Sequence, residues 1–303
     1  MGKIAFVFAG QGAQAVGMGK ELYDNSAAAK EIFDLAEGIR PGTLKQCFEG
    51  PKEALDDTIN AQPCLFAADL AAAAALNERG VFAQGAAGFS LGEIPALAHC
   101  GVMSAEDAFR FVCFRAEALS DCAQNHKGTM FAVLNLTAGA VEEICAAIAG
   151  AWPVNYNSAG QTVVACAETA ADELQKAVTE RSGRAAPLAV SGAFHSPLMD
   201  EASKKIAGYL DGFKFGNMKI PLYANVTAGV YNDPGRLIAE QVNHPVLWQK
   251  TVENMIADGF DTFIELGPGK TLAGLIRRIN PNVKVYNVSD AGALEKTAEG
   301  LAI

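Results

Sequence analysis

"AAGFSLGEIPAL", residues 86–97, decides how the rest of the chain is read. Small apolar residues lead to Ser90. Glycines stand two positions to either side, at Gly88 and Gly92, and the run "LGEIPALAHCG" then reads as a helix ending near Gly101. Strand, sharp turn and helix is the context in which a G-x-S-x-G serine occupies a strained elbow. Its neighbours two residues away must be small for strand and helix to pack. The spacing leaves two readings open: a nucleophile, or a serine in an ordinary turn among small residues.

Outward from the elbow, "KIAFVFAGQGAQ" predicts a buried strand over 3–8 running into a glycine-rich turn. Helical patterns follow to about residue 80, with Asn60 as an expected cap and Pro63 in the first turn of "NAQPCLF". The alanine-rich run 67–76 contains Asp69 and reads as a buried helix. Ser104 with Asp107 three residues on opens a helix over 104–123, which carries Arg115. The middle of the chain has its own pattern: strand 129–136, helix 138–150, strands 153–157 and 161–167, helix 169–183, strand 185–192. That order, βαββαβ, is the split βαβ or ferredoxin-like arrangement. Alternation then resumes with a helix from about 196, strand 220–226, helices from 234 to 258, and strand 261–266. The turn "GPGK", the helix "TLAGLIRRI" and a last strand at 283–288 complete it. The expected class is α/β. A discontinuous catalytic domain, 1–126 and 192–303, is interrupted by a small domain over 127–191.

The 303 residues are half hydrophobic and 19% charged, the composition of a compact folded protein, and the net charge of −10 argues against nucleic-acid binding. Seven cysteines form no C-x-x-C pair and read as buried, reduced thiols of a cytoplasmic protein. The apolar run before Gly10 is too short for a signal-peptide core or a membrane span, and Phe6 stands where myristoylation would want Ser or Thr. No membrane association is expected.

A serine nucleophile needs a base. Of four histidines, His99 reads as packing, His126 as solvated loop and His244, before Pro245, as part of a turn. His195, in "SGAFHSPLMD", follows a predicted strand directly and is the preferred base. The carboxylates between serine and histidine, such as Glu142, Glu143, Asp172 and Glu173, sit on amphipathic helices, which leaves a Ser–His dyad with a non-acidic orienter. The Leu91 amide, at a helix N-terminus, is suited to a developing oxyanion. Gln11, between Gly10 and Gly12, lies in the natural loop for a second donor. "GQG" is not a dinucleotide fingerprint, because position 15 is alanine.

Taken together, "FAGQGAQ" (8–14), "GFSLGE" (88–93), Arg115 in "FRAEAL", "NYNSAGQ" (155–161), "GAFHSPLM" (192–199), "ANVT" (224–227), "QVNHPVLW" (241–248) and "IELGPGKTLAGL" (264–275) run through the whole chain. In this order they resemble the malonyl-CoA:acyl-carrier-protein transacylases, the acyltransferase family of fatty-acid and polyketide synthesis. The resemblance implies an α/β-hydrolase-like core with an inserted ferredoxin-like subdomain, and ping-pong malonyl transfer from malonyl-CoA to the phosphopantetheine thiol of holo acyl carrier protein. It implies Ser90 as the acylated nucleophile and His195 as base and acid, oriented by the backbone carbonyl of Gln241. Gln11 and Leu91 would form the oxyanion hole, Arg115 would hold the malonyl carboxylate, and Asn157 and Arg184 would lie near CoA and its phosphopantetheine. A guanidinium matches a carboxylate with two parallel hydrogen bonds; the plainer reading is an arginine reaching to solvent, which suits Arg110 better.

The resemblance implies no metal and no cofactor beyond the thioester substrate, and a monomer is expected. Arg184, Lys250, Lys270, Arg277 and Arg278 are candidates for docking an acidic carrier. Phe89 departs from the family's usual histidine before the nucleophile, and Phe194 is expected to disfavour a branched methylmalonyl chain. Other readings are a serine hydrolase or thioesterase, a trans-acting acyltransferase of a polyketide synthase or malonate decarboxylase system, and a catalytically dead scaffold.

Overall fold

A computed structural model describes residues 2–190 and 192–301. Five strands form a wholly parallel sheet: β1 (Lys3–Phe8), β2 (Gly85–Gly88), β7 (Leu222–Tyr223), β8 (Phe260–Leu266) and β9 (Lys284–Val288), in the order β7-β2-β1-β8-β9. β1 is buried from Ala5 to Phe8, as an apolar run covered on both faces must be. The chain leaves β1 toward β2 on one side and pairs it with β8 on the other. Such a reversal opens a crevice beyond the strands' carboxyl ends, and both the Gly10–Gly12 turn and Ser90 stand there.

The central helix Thr58–Glu78 has length and hydropathy enough to cross a bilayer, yet 83% of its apolar window is buried inside the protein. It is apolar all round because it is surrounded, which is why a one-sided helical stripe is missing. Its cap differs from the expected one. Asp57, not Asn60, accepts the Ile59 N–H at 3.1 Å, while Asn60 lies inside the helix and donates to the Ala54 carbonyl. At the start of the Ala105–Asn125 helix, Ser104 accepts from the Asp107 N–H at 3.0 Å, as its sequence predicts.

The second sheet is antiparallel, built from β3 (Gly128–Leu134), β4 (Ala151–Ser158), β5 (Gln161–Ala167) and β6 (Arg184–Pro187) in the order β4-β5-β3-β6. With the helices Ala138–Ala147 and Ala171–Glu180 it realises the predicted βαββαβ order. Alternation sorts its faces: Phe131, Val133, Val164 and Cys166 pack under the helices, while Met130, Ala132, Val163 and Ala165 face the other way, toward the crevice. The sheet is tied to the rest by Val246, which donates to the Val154 carbonyl at 2.8 Å and accepts from the Tyr156 N–H at 2.9 Å.

Two predicted strands shorten and one helix is added. The strand expected over 185–192 ends at Pro187, which has no N–H for the ladder; the chain then bends inward so that Leu188 and Val190 line the crevice. Ser191 lies outside the described residues. The strand over 220–226 pairs only at Leu222–Tyr223, because the Ala224 N–H turns to the Gly229 carbonyl and Asn225 braces the elbow. The strand expected over 283–288 forms as β9, and a helix not expected from the sequence, Ala291–Gly300, follows it.

Candidate active site

Ser90 has φ 53°, a left-handed conformation that costs a non-glycine residue about 1–3 kcal/mol. The surroundings over-determine it. A Cβ at Gly88 would run into the Gly92 backbone, and one at Gly92 into the carbonyls of Phe8 and Ala9. Asn225 clamps the turn: its Nδ2 donates to the Gly88 carbonyl at 2.6 Å and its Oδ1 accepts the Ser90 N–H at 2.8 Å. The other turn approaches closely, since a Cβ on Gly10 would stand 2.7 Å from the Phe89 oxygen. Gln11 is anchored through its side chain, Nε2 donating to Thr58 Oγ1 at 2.8 Å. The backbone positions of Gln11 and Leu91 therefore follow adjacent strand ends beside Ser90.

His195 is the histidine that reaches the serine. Its Nε2 lies 2.7 Å from Ser90 Oγ, and its Nδ1 lies 2.8 Å from the Gln241 carbonyl oxygen. A carbonyl only accepts, so Nδ1 carries the proton and Nε2 presents a lone pair to the serine hydroxyl. The Val242 carbonyl accepts the His195 N–H at 2.9 Å and helps hold the residue at φ 63°. Burial first, then the nearby Arg115 charge, pull its pKa down to about 4. The other three histidines are elsewhere: His99 packs near Phe6 and Phe8, His126 meets Glu201, and His244 bonds the Glu240 carbonyl.

Arg115 is 1% exposed and does not reach solvent. Its Nη1 donates to Gln62 Oε1 at 2.5 Å and its Nη2 to Gln241 Oε1 at 2.8 Å, while Nε has no partner. Two neutral amides thus cradle a cation. Burial lowers its pKa to about 10, which leaves it charged at neutral pH. The closest carboxylate in this network is Glu93, buried and reached through Gln241, whose Nε2 donates to Glu93 and to the Ser90 carbonyl. Burial raises Glu93 to about 7 against the opposing bonds from Tyr231, Gln241 and the Asn225 N–H. Gln241 therefore links base, cation and elbow in one residue.

Ser90, His195, Arg115, Gln11, Asn155, Asn157 and Phe194 line one cavity of about 250 Å³. Asn157 Oδ1 is buried without a partner, a free acceptor at the cavity wall. Arg184 is exposed on the edge strand β6 and stands outside the cavity lining; Arg278, exposed at the rim, lines the cavity instead. Phe89 packs edge-on against buried Trp248, with ring centroids 5.5 Å apart, and also lines the cavity. Sequence reasoning passed over Gln62, Glu93 and Asn225. Gln62 and Asn225 lay within quoted motifs, but partners 53 and 135 residues away gave no local signal.

A family model described as acyl transferase domain matches residues 5–298. The malonyl CoA-acyl carrier protein transacylase of Bacillus subtilis (strain 168) is 36% identical, covering 99% of this chain and 98% of its own. The crystal structure of the corresponding protein from Clostridium perfringens superposes with a TM-score of 0.95 at 36% identity, covering 99% and 97% of the two chains. A malonyl-transacylase in complex with its type II PKS acyl-carrier protein gives 0.94 at 31% identity, covering 98% and 99%. A braced serine elbow, a histidine held by a main-chain carbonyl and a buried arginine in one cavity, in a chain matched almost end to end, belong to the acyl transferase domain family.

Proposed function

We propose that this chain transfers the malonyl group of malonyl-CoA to the phosphopantetheine thiol of holo acyl carrier protein, for fatty-acid synthesis. The observation that carries the reading is Arg115, a buried cation without a carboxylate partner, in the cavity that holds the Ser90–His195 pair. An incoming malonyl carboxylate supplies the missing counter-charge, and an acetyl group leaves the guanidinium unpaired.

His195 Nε2 takes the Ser90 proton as Oγ attacks the thioester carbon. The amides of Gln11 and Leu91 receive the oxyanion. The C–S bond breaks, His195 returns its proton to the leaving CoA sulfur, and malonyl-Ser90 remains. The carrier thiol then gives its proton to His195 and attacks the ester carbon. Ser90 Oγ takes that proton back as the C–O bond breaks. The exchange moves an acyl group and a proton, so it calls for neither metal nor cofactor. Asn157 is assigned to the pantetheine path, with Arg278 a better-placed cation than Arg184 for CoA phosphates. Phe194 in the lining supports selection against a branched chain.

In this reading the large parallel sheet is an α/β-hydrolase-like domain, residues 1–126 and 192–303, and 127–191 is an inserted ferredoxin-like domain. One chain supplies every group named, which supports a monomer. The described cysteines are all unpaired, which fits the cytoplasm. The test is transfer of labelled malonyl from CoA to holo carrier, with acetyl and methylmalonyl donors beside it. Malonyl-carrier product and a malonyl adduct on Ser90 are expected; release of free malonate without carrier product overturns the reading in favour of a hydrolase.

A further inference from the structure

Away from the cavity, three side chains of metal-binding type meet where the chain enters and leaves the small sheet. Cys122 and His126, four residues apart at the end of the Ala105–Asn125 helix, come to one face. Glu201 joins them from the first turn of the helix Asp200–Leu210. One ligand atom from each lies within 4.8 Å of the others, and His126 Nε2 is 3.3 Å from Glu201 Oε1. The three are graded from interior to solvent: Cys122 is 2% exposed, His126 half-buried and Glu201 exposed. Burial pushes the Cys122 thiol up, and the N–H groups of Ala202 and Glu201, at the start of the second helix, oppose this only in part, so it is the metal that must draw off the thiol proton. The neighbouring Lys205 is paired with Asp121 at 3.1 Å.

We propose that Cys122, His126 and Glu201 bind one divalent ion of the zinc class, at a site separate from the acyl-transfer centre. Sulfur, nitrogen and carboxylate oxygen together suit Zn²⁺ or Co²⁺, whereas Mg²⁺ and Ca²⁺ favour all-oxygen sets. Three protein ligands leave a fourth position for solvent. On binding, the Cys122 thiol proton, now donated to the Leu198 carbonyl at 3.2 Å, is released to solvent as the sulfur–metal bond forms. The ion ties the end of the helix that carries Arg115 to the start of the helix that follows His195. The seam there is tight: a Cβ on Gly192 would stand 2.7 Å from the Ala123 Cβ. Occupancy therefore stabilises the folded chain.

The test uses the full chain, freed of metal and titrated with Co²⁺, then Zn²⁺. The expected result is one Co²⁺ per chain with a thiolate-to-cobalt charge-transfer band, displacement by Zn²⁺, and a Tm that rises with Zn²⁺ but not with Mg²⁺. Cys122→Ser should abolish the band. His126→Ala and Glu201→Ala, nearer the surface and safer for folding, should each weaken Co²⁺ binding about tenfold or more. The proposal is overturned if the unaltered chain gives no such band, if the band survives in Cys122→Ser, or if His126→Ala binds Co²⁺ as tightly as the parent.

Discussion

Arg115 and His195 are coupled through Gln241, and that coupling has measurable consequences residue by residue. In the proposed malonyl complex, removing the guanidinium would delete the charge-assisted hydrogen bonds to the malonyl carboxylate. Arg115→Ala should therefore lower kcat/KM for malonyl-CoA by roughly 10²–10⁴-fold while leaving acetyl-CoA unharmed. Steady-state comparison of the two donors reads this directly, and an unchanged preference removes the carboxylate clamp. The pH profile is a second test. Burial and Arg115 hold His195 at about 4, so it remains a neutral base well below the usual histidine range. Single-turnover acylation should lose rate only as pH falls toward 4, not near 6.5. In Arg115→Ala the acid limb should move up, because the second cause of the depression has gone.

The elbow is an element whose function depends on what is missing from it. Gly88 and Gly92 are close-packed against backbone, not against side chains that can turn aside. Gly92→Ala should cost about 1–3 kcal/mol through overpacking, and should displace Ser90 from His195. Urea unfolding and the yield of malonyl-Ser90 adduct measure the two effects. Full stability with full acylation would mean that the turn relaxes freely. The glycine spacing was legible in the sequence because the constraint is local. Asn225, the residue that clamps the turn, stands 135 positions from Ser90. No periodicity marks it, and the strand expected over 220–226 pairs only at Leu222–Tyr223 for the same reason.

At the scale of the molecule, the buried acids set how stability responds to pH. Both Asp69 oxygens are buried without a hydrogen-bond partner, in the central helix. Burial, reinforced by the Glu265 charge, holds Asp69 well above the usual carboxylate range. Folded chain keeps the proton that unfolded chain loses near about 3.9, so this site's contribution to stability falls as pH rises toward the raised value. Asp69→Asn should stabilise the protein at pH 8, with a gain that shrinks toward pH 4. Urea melts at the two pH values check it, and an equal gain at both would assign the effect to packing.

Local rules in the sequence determined the elbow, the Ser104 cap, the alternation of the small sheet and the βαββαβ order, because each depends on neighbours within a few residues. They also narrowed the base to His195, through its place after a strand. Tertiary structure alone decided that the His195 ring meets Ser90 and not solvent, and that Gln62 and Gln241 hold Arg115. It also set Arg184 outside the cavity, left Arg278 at its rim, and brought Cys122, His126 and Glu201 together. Those outcomes depend on contacts made across the chain once both sheets are packed, where burial, not spacing, sets the charge and reach of each group.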